Sequence, residues 1–171
     1  MSFKKFFLMP LIVTVLAFSI QIVDQLLSPL MNPDPNKGFC WIAFQAWAVY
    51  FFAGCDIKGG IKALIGYPIG IAAAILIMEL AGGAFSSLGF FSVAIPVGLV
   101  ACCLMFLDKV PWVNLIPAIF IGAGAFFAFM TYIDGATYVD AAITEFVYCA
   151  IGLLFGFFTI SLRSLFDKQK S

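Results

Sequence analysis

The chain contains no histidine. That removes the commonest general base, the commonest metal ligand and the usual switch near neutral pH. Charge is scarce as well: nine basic and nine acidic residues make up 11% of the 171, where a soluble globular chain carries about a quarter. No Walker loop, dinucleotide fingerprint, metalloprotease helix or nucleophile–base pair is present. An enzyme is therefore not expected, nor a bound cofactor or metal, and nothing supports a nucleic-acid partner. The five cysteines, Cys40, Cys55, Cys102, Cys103 and Cys149, are odd in number and match no zinc or redox spacing. They read as small apolar packing residues.

What the chain does have is apolar surface, with 64% hydrophobic residues and 21 phenylalanines. A soluble fold of this length could not cover so much of it, so the lipid bilayer is the expected solvent and partner. Six spans of roughly 20 residues would use about 120 residues. Hydropathy places them near 6–27, 39–54, 61–81, 85–107, 112–133 and 139–162, in a single polytopic all-α membrane domain. The second is the shortest and could be partly re-entrant. Lys4 and Lys5 followed by an apolar run, with Ala17-Phe18-Ser19 beyond, mimic a signal peptide. The run continues past Ser19 and joins a repeat, so it is expected to stay as the first span.

The breaks have chemical causes. Between Ser28 and Gly38 lie Asn32, Pro33, Pro35 and Asn36, preceded by Pro29, and this stretch cannot continue a helix. Cys55 to Gly60 reads as a tight turn, Gly82-Gly83 ends the third span, and Asp108 to Pro111 turns into the fifth, with Pro111 placed to start it. Orientation follows from the basic residues. With the N-terminus inside, Lys4, Lys5, Lys58, Lys62, Lys109, Arg163, Lys168 and Lys170 are cytoplasmic, and Lys37 alone is outside.

An internal repeat accompanies this topology. Pro10 and Pro96 are 86 residues apart, as are Gly66 and Gly152, and Gly70 and Gly156. Phe51-Phe52-Ala53 matches Phe126-Phe127-Ala128 at a shift of 75. Three spans per half would make two inverted three-helix repeats, a plan common in channels and secondary transporters.

Polar residues within spans are costly and mark the candidate site. Thr14, Gln21, Asp24, Gln25 and Ser28 share a face of the first span. They read either as a pathway lining or as interhelical hydrogen bonding. Asp140, Thr144, Tyr148 and Thr159 form a similar stripe on the sixth span, with Glu145, the deepest acid, beside it. Glu79 lies near the outer end of the third span and could snorkel. Gln45 sits among aromatics in the second. Asp24, Glu79, Glu145, Asp34, Asp134 and Asp140 all map to the outer half, where an acidic mouth would concentrate cations. Gly66, Gly70, Gly122, Gly124, Gly152 and Gly156 permit close helix approach, and Pro68 and Pro117 are expected to kink their helices.

Two stretches resemble an uncharacterised family of small bacterial inner-membrane proteins, classed by a domain of unknown function. One runs Trp41-Ile42-Ala43-Phe44, through Tyr50-Phe51-Phe52-Ala53, to Gly59-Gly60-Ile61-Lys62. The other runs from Ile116-Pro117-Ala118 through Gly122-Ala123 to Phe126-Phe127-Ala128. The resemblance implies a bacterial inner-membrane location and brings no activity, cofactor or catalytic residue with it. The expectation is a homo-oligomeric channel or transporter for a small polar or cationic solute, its pathway formed by Gln21, Asp24, Gln45, Glu79, Glu145 and Tyr148. The alternative is a non-transporting accessory or scaffold subunit.

Overall fold

The computed structural model describes residues 3–31, 33 and 38–168, with side chains from Phe7 to Phe166 within those limits. Six α-helices follow one another: α1 (Phe3–Leu27), α2 (Cys40–Phe52), α3 (Ile57–Gly82), α4 (Phe91–Met105), α5 (Ile116–Tyr132) and α6 (Tyr138–Lys168). Short 3₁₀ turns at Ser28–Leu30, Ser86–Leu88 and Phe106–Lys109 adjoin them, and there is no strand among the described residues. Four segments are long and apolar enough to cross a membrane, namely Phe7–Leu30, Ile57–Gly82, Phe91–Lys109 and Tyr138–Phe166. The other two helices are shorter. At 13 and 17 residues, α2 and α5 extend roughly 20 and 26 Å, against a hydrocarbon thickness of about 30 Å. Asn32, Asp34, Pro35, Asn36, Lys37 and Lys170 lie outside the described residues, as do the side chains of Lys4, Lys5 and Lys168.

Local chemistry explains the boundaries and corrects several expected ones. Pro29 closes α1 because it has no N–H to continue the ladder. The reversal after α2 uses Gly54 and Cys55, both at positive φ. The expected turn then ends early, since Asp56 caps α3 by accepting a 2.6 Å hydrogen bond from Gly59 N–H. Gly59 and Gly60 are therefore helical, and their reason is space. A Cβ on Gly59 would strike the backbone oxygen of Ala53, and one on Gly60 would lie 3.1 Å from the Tyr50 ring. Pro117 does not kink a helix. It occupies the first turn of α5, where its missing N–H costs nothing, while Pro111 lies in the preceding turn. Pro68 is inside α3 and leaves the Leu64 carbonyl without its helical donor. Thr137 and Asp140 form a reciprocal cap at the start of α6, with Thr137 Oγ1 donating to Asp140 Oδ2 at 2.6 Å and Asp140 N–H donating to Thr137 Oγ1 at 3.2 Å.

Two helix pairings dominate the packing: α2 lies along α6, and α3 lies along α5. Both are set by glycine. On α6, a Cβ at Gly152 would strike the Ala43 oxygen and come within 2.7 Å of Ala46 Cβ, and one at Gly156 would lie 2.5 Å from Tyr50 Cβ. On α3, a Cβ at Gly66 would lie 2.9 Å from Ala118 Cβ, and one at Gly70 would strike the Ile119 oxygen. From α5, a Cβ at Gly122 would meet the Tyr67 oxygen at 2.7 Å. Gly124 departs from the expected set, because it is exposed and has nothing within 4 Å of its Cβ position. It points away from α3, two residues round the helix from Gly122. α1 packs on α6, and α4 packs chiefly on α3.

The outside of the bundle is apolar. Phe18, Leu26, Phe52 and Phe90 are among many large hydrophobic side chains that face outward. Gly152→Ala is expected to push α2 off α6 and destabilise the fold by about 1–3 kcal/mol, whereas Gly124→Ala should leave it unchanged. Thermal unfolding of the two purified variants in detergent compares them directly.

Candidate functional site

The interior polar groups gather around α6. The short α2 begins deep in the bundle: Phe39, just ahead of it, is completely buried. Its ring stacks on Phe129 of α5 at 5.2 Å and meets Tyr148 of α6 edge-on at 5.7 Å. Tyr148 lies roughly 15 Å along α6 from Tyr138. A helix starting at that depth presents N–H groups that neither water nor lipid can satisfy. Asp24 of α1 meets this need. It is 2% exposed, and its Oδ1 accepts a 2.9 Å hydrogen bond from Phe39 N–H. Gln21 Nε2 donates to Asp24 Oδ2 at 3.3 Å. Gly38 leaves room for the carboxylate, since a Cβ there would lie 2.5 Å from Asp24 Oδ2. Tyr148 Oη is buried beside Asp24 but makes no hydrogen bond of good geometry.

A second group lies one turn along α6. Glu145 is 0% exposed, and neither of its carboxylate oxygens has a hydrogen-bond partner among the described residues. Tyr67 of α3 and Cys149 of α6 are within its electrostatic reach. The Tyr67 hydroxyl is likewise buried and unpartnered. Buried polar atoms nearly always have partners, and an ionised carboxylate held without one is especially costly. The unmet hydrogen-bonding capacity of the described interior is thus concentrated in this layer. On the side of Glu145 facing α1, Thr144 Oγ1 donates to Met31 Sδ at 3.7 Å. Farther along α6 the polar face turns structural, with Trp47 Nε1 donating to Thr159 Oγ1 at 2.9 Å and Thr159 Oγ1 donating to Phe155 O at 2.7 Å.

The fold thus sets Gln21 and Asp24 of α1 beside Tyr148 of α6, places Glu145 one turn from Tyr148 on the same helix, and leaves other candidates apart. Gln45 is half-buried on α2. Glu79 is exposed and accepts a 2.9 Å hydrogen bond from Tyr138 Oη, tying the last turn of α3 to the first turn of α6. Thr14 and Gln25 face outward, Thr14 satisfying itself on the Pro10 carbonyl at 2.8 Å. Asp134 is exposed, and Asp140 is occupied in capping. The expected acidic mouth divides accordingly into two buried acids and an exposed rim. Tyr67 and Cys149 escaped sequence reasoning. The signal for Tyr67 was its place between Gly66 and Pro68, in a helix expected to pack closely. Among the described residues, no cluster of cysteine and acidic side chains could hold a metal ion.

These features define an all-helical, membrane-compatible protein with a small polar layer in an otherwise apolar interior. The chain belongs to the DUF1097 family, whose description is a protein of unknown function and which matches residues 8–163. No curated protein matches it, and no solved structure does.

The capping role of Asp24 has a direct consequence. Asp24→Ala leaves the Phe39 N–H buried without an acceptor and is expected to cost about 1–3 kcal/mol. Asp24→Asn keeps an acceptor oxygen and should retain most of the stability. Melting temperatures of the two variants in the same detergent separate these outcomes.

Proposed function

We propose that this protein is a bacterial inner-membrane transporter or channel for a small polar or cationic solute, and that Glu145 is the group that binds it. The observation carrying this reading is the fully buried Glu145 carboxylate, which has no hydrogen-bond partner among the described residues and is grouped with Tyr67, one turn along α6 from Tyr148. Intramembrane carboxylates are expensive and typically lie on ion or proton pathways. The start of α2 beside this layer adds a helix end within the membrane, a recurring element of transporter sites.

All six helices cross the membrane in this reading, with both termini cytoplasmic. The short α2 and α5 lie inside the bundle, where neighbouring helices cover their ends. In its favour, Lys58, Lys62 and Lys109 share one end of the bundle. Two inverted repeats, α1–α3 and α4–α6, are part of the proposal. Exchanging the halves converts the α3–α5 pairing into the α6–α2 pairing, the two most extensive in the fold. It also converts the Gly66–Ala118 contact into the Gly152–Ala43 contact. The shifts are the same 86 and 75 residues that relate the halves in sequence. A homo-oligomer is consistent with the outward face of α4, which is almost entirely exposed.

An accessory or scaffold subunit is the second reading. The close backbone contacts at Gly70 and Gly152 favour it, since they describe a rigid interior. Flux separates the two. Purified protein in proteoliposomes, tested on a panel of small cations and neutral polar solutes, is expected to give selective flux, at least tenfold lower for Glu145→Gln. Flux no greater than that of empty liposomes, from protein shown to be folded, would support the scaffold. Flux indifferent to the substitution would keep transport and assign Glu145 to structure.

A further inference from the structure

We propose that the end of the bundle where α3 and α5 begin binds the phosphate of an anionic phospholipid headgroup. A cavity of about 190 Å³ lies there, lined by Lys58, Lys62, Lys109, Pro111, Trp112 and Asn114. Three lysines from two separate segments, the first turns of α3 and the 3₁₀ turn after α4, converge on one small opening. Each is held differently. Lys62 Nζ donates to Asn114 Oδ1 at 2.8 Å, which fixes the ammonium while leaving its charge uncompensated. Lys58 Nζ lies 5.9 Å over the Trp112 ring. Lys109 Nζ is 3.8 Å from Asp108 Oδ2, a loose pair on a side chain 89% exposed. The other nearby acid, Asp56, is engaged in capping Gly59 N–H.

The backbone adds to this field. α3 and α5 run side by side, and while the Asp56 carboxylate occupies the positive end of α3, that of α5 begins just after Asn114. Leu115, ahead of α5, provides no side-chain cap to quench that end. Trp112 is held at φ +73°, a conformation uncommon for a bulky residue. The turn that imposes it sets the indole, half exposed, at the cavity edge. A tryptophan beside lysines at the end of apolar helices is suited to the headgroup zone, with the ring among the upper acyl carbons and the ammonium groups at the phosphate. The lipid, rather than free phosphate, is favoured because exposed apolar side chains, Ile57 and Ile61 on α3 and Phe106 and Val110 ahead of Trp112, neighbour the lining residues and offer a surface for acyl chains. The inference is independent of transport by Glu145.

Native mass spectrometry of the delipidated protein tests it, with phosphatidylglycerol, phosphatidylcholine and inorganic phosphate as separate probes. Phosphatidylglycerol is expected to be retained preferentially. Each lysine should contribute about fivefold, so Lys58→Gln with Lys62→Gln weakens retention roughly twentyfold. The corresponding double arginine variant should retain it. Lys109→Gln, on a solvent-exposed side chain that cannot unfold the protein, should lose about fivefold. Equal retention of the two lipids, or no change in any glutamine variant, would overturn the proposal. Displacement of phosphatidylglycerol by millimolar inorganic phosphate would reassign the site to the free anion.

Discussion

Backbone-to-backbone contact between helices is the constraint on which this structure depends. In lipid, apolar side chains gain little by leaving one hydrocarbon environment for another, so helices associate through close packing and polar bonds. Gly152 against Ala43 and Gly70 against Ile119 are contacts that no larger residue could make. They draw two short helices, α2 and α5, against the two longest, α6 and α3. Once those pairs are fixed, α1 and α4 have only flanks left to occupy.

Shortness carries an obligation. Because α2 starts well below the end of α6, its first backbone donor needs a partner from within the protein. The carboxylate of Asp24 fills that role, and Gly38 and Gln21 shape its surroundings. An acid that looks like pathway lining in the sequence is therefore also a structural cap. Glu145 is different. Its burial is as complete, yet no donor among the described residues answers it. The contrast between a satisfied carboxylate on α1 and one on α6 with no donor among the described residues is what makes Glu145 the centre of the proposal.

The two ends of the bundle differ in kind. At one end, Tyr138 and Glu79 bridge α6 and α3, and Thr137 with Asp140 caps α6. The opposite end gathers Lys58, Lys62 and Lys109 around Trp112. Neutral net charge conceals this, because position and not total charge decides the local field.

The number of helices and most of their limits were legible in the sequence, because the apolar runs are long and Pro29, Gly54 and Gly82-Gly83 interrupt them through local backbone chemistry alone. The glycine spacing also announced which helix faces pack closely. The starts of α3, α4 and α5 lie at Ile57, Phe91 and Ile116 rather than at the expected 61, 85 and 112, because Asp56 and Pro117 act as starting signals only in company with the turns before them and Ser86–Leu88 forms a separate 3₁₀ turn ahead of α4. The sequence by itself determined that the helices are apolar enough to suit a membrane and that six apolar segments follow one another, since both rest on composition and local propensity. Only the tertiary structure decided that Asp24 is satisfied and Glu145 is not, that Gly124 packs on nothing, and that Lys58, Lys62 and Lys109 meet. Each of these depends on which residue of a distant helix lies opposite, and that is set by the register of α2 on α6 and of α3 on α5.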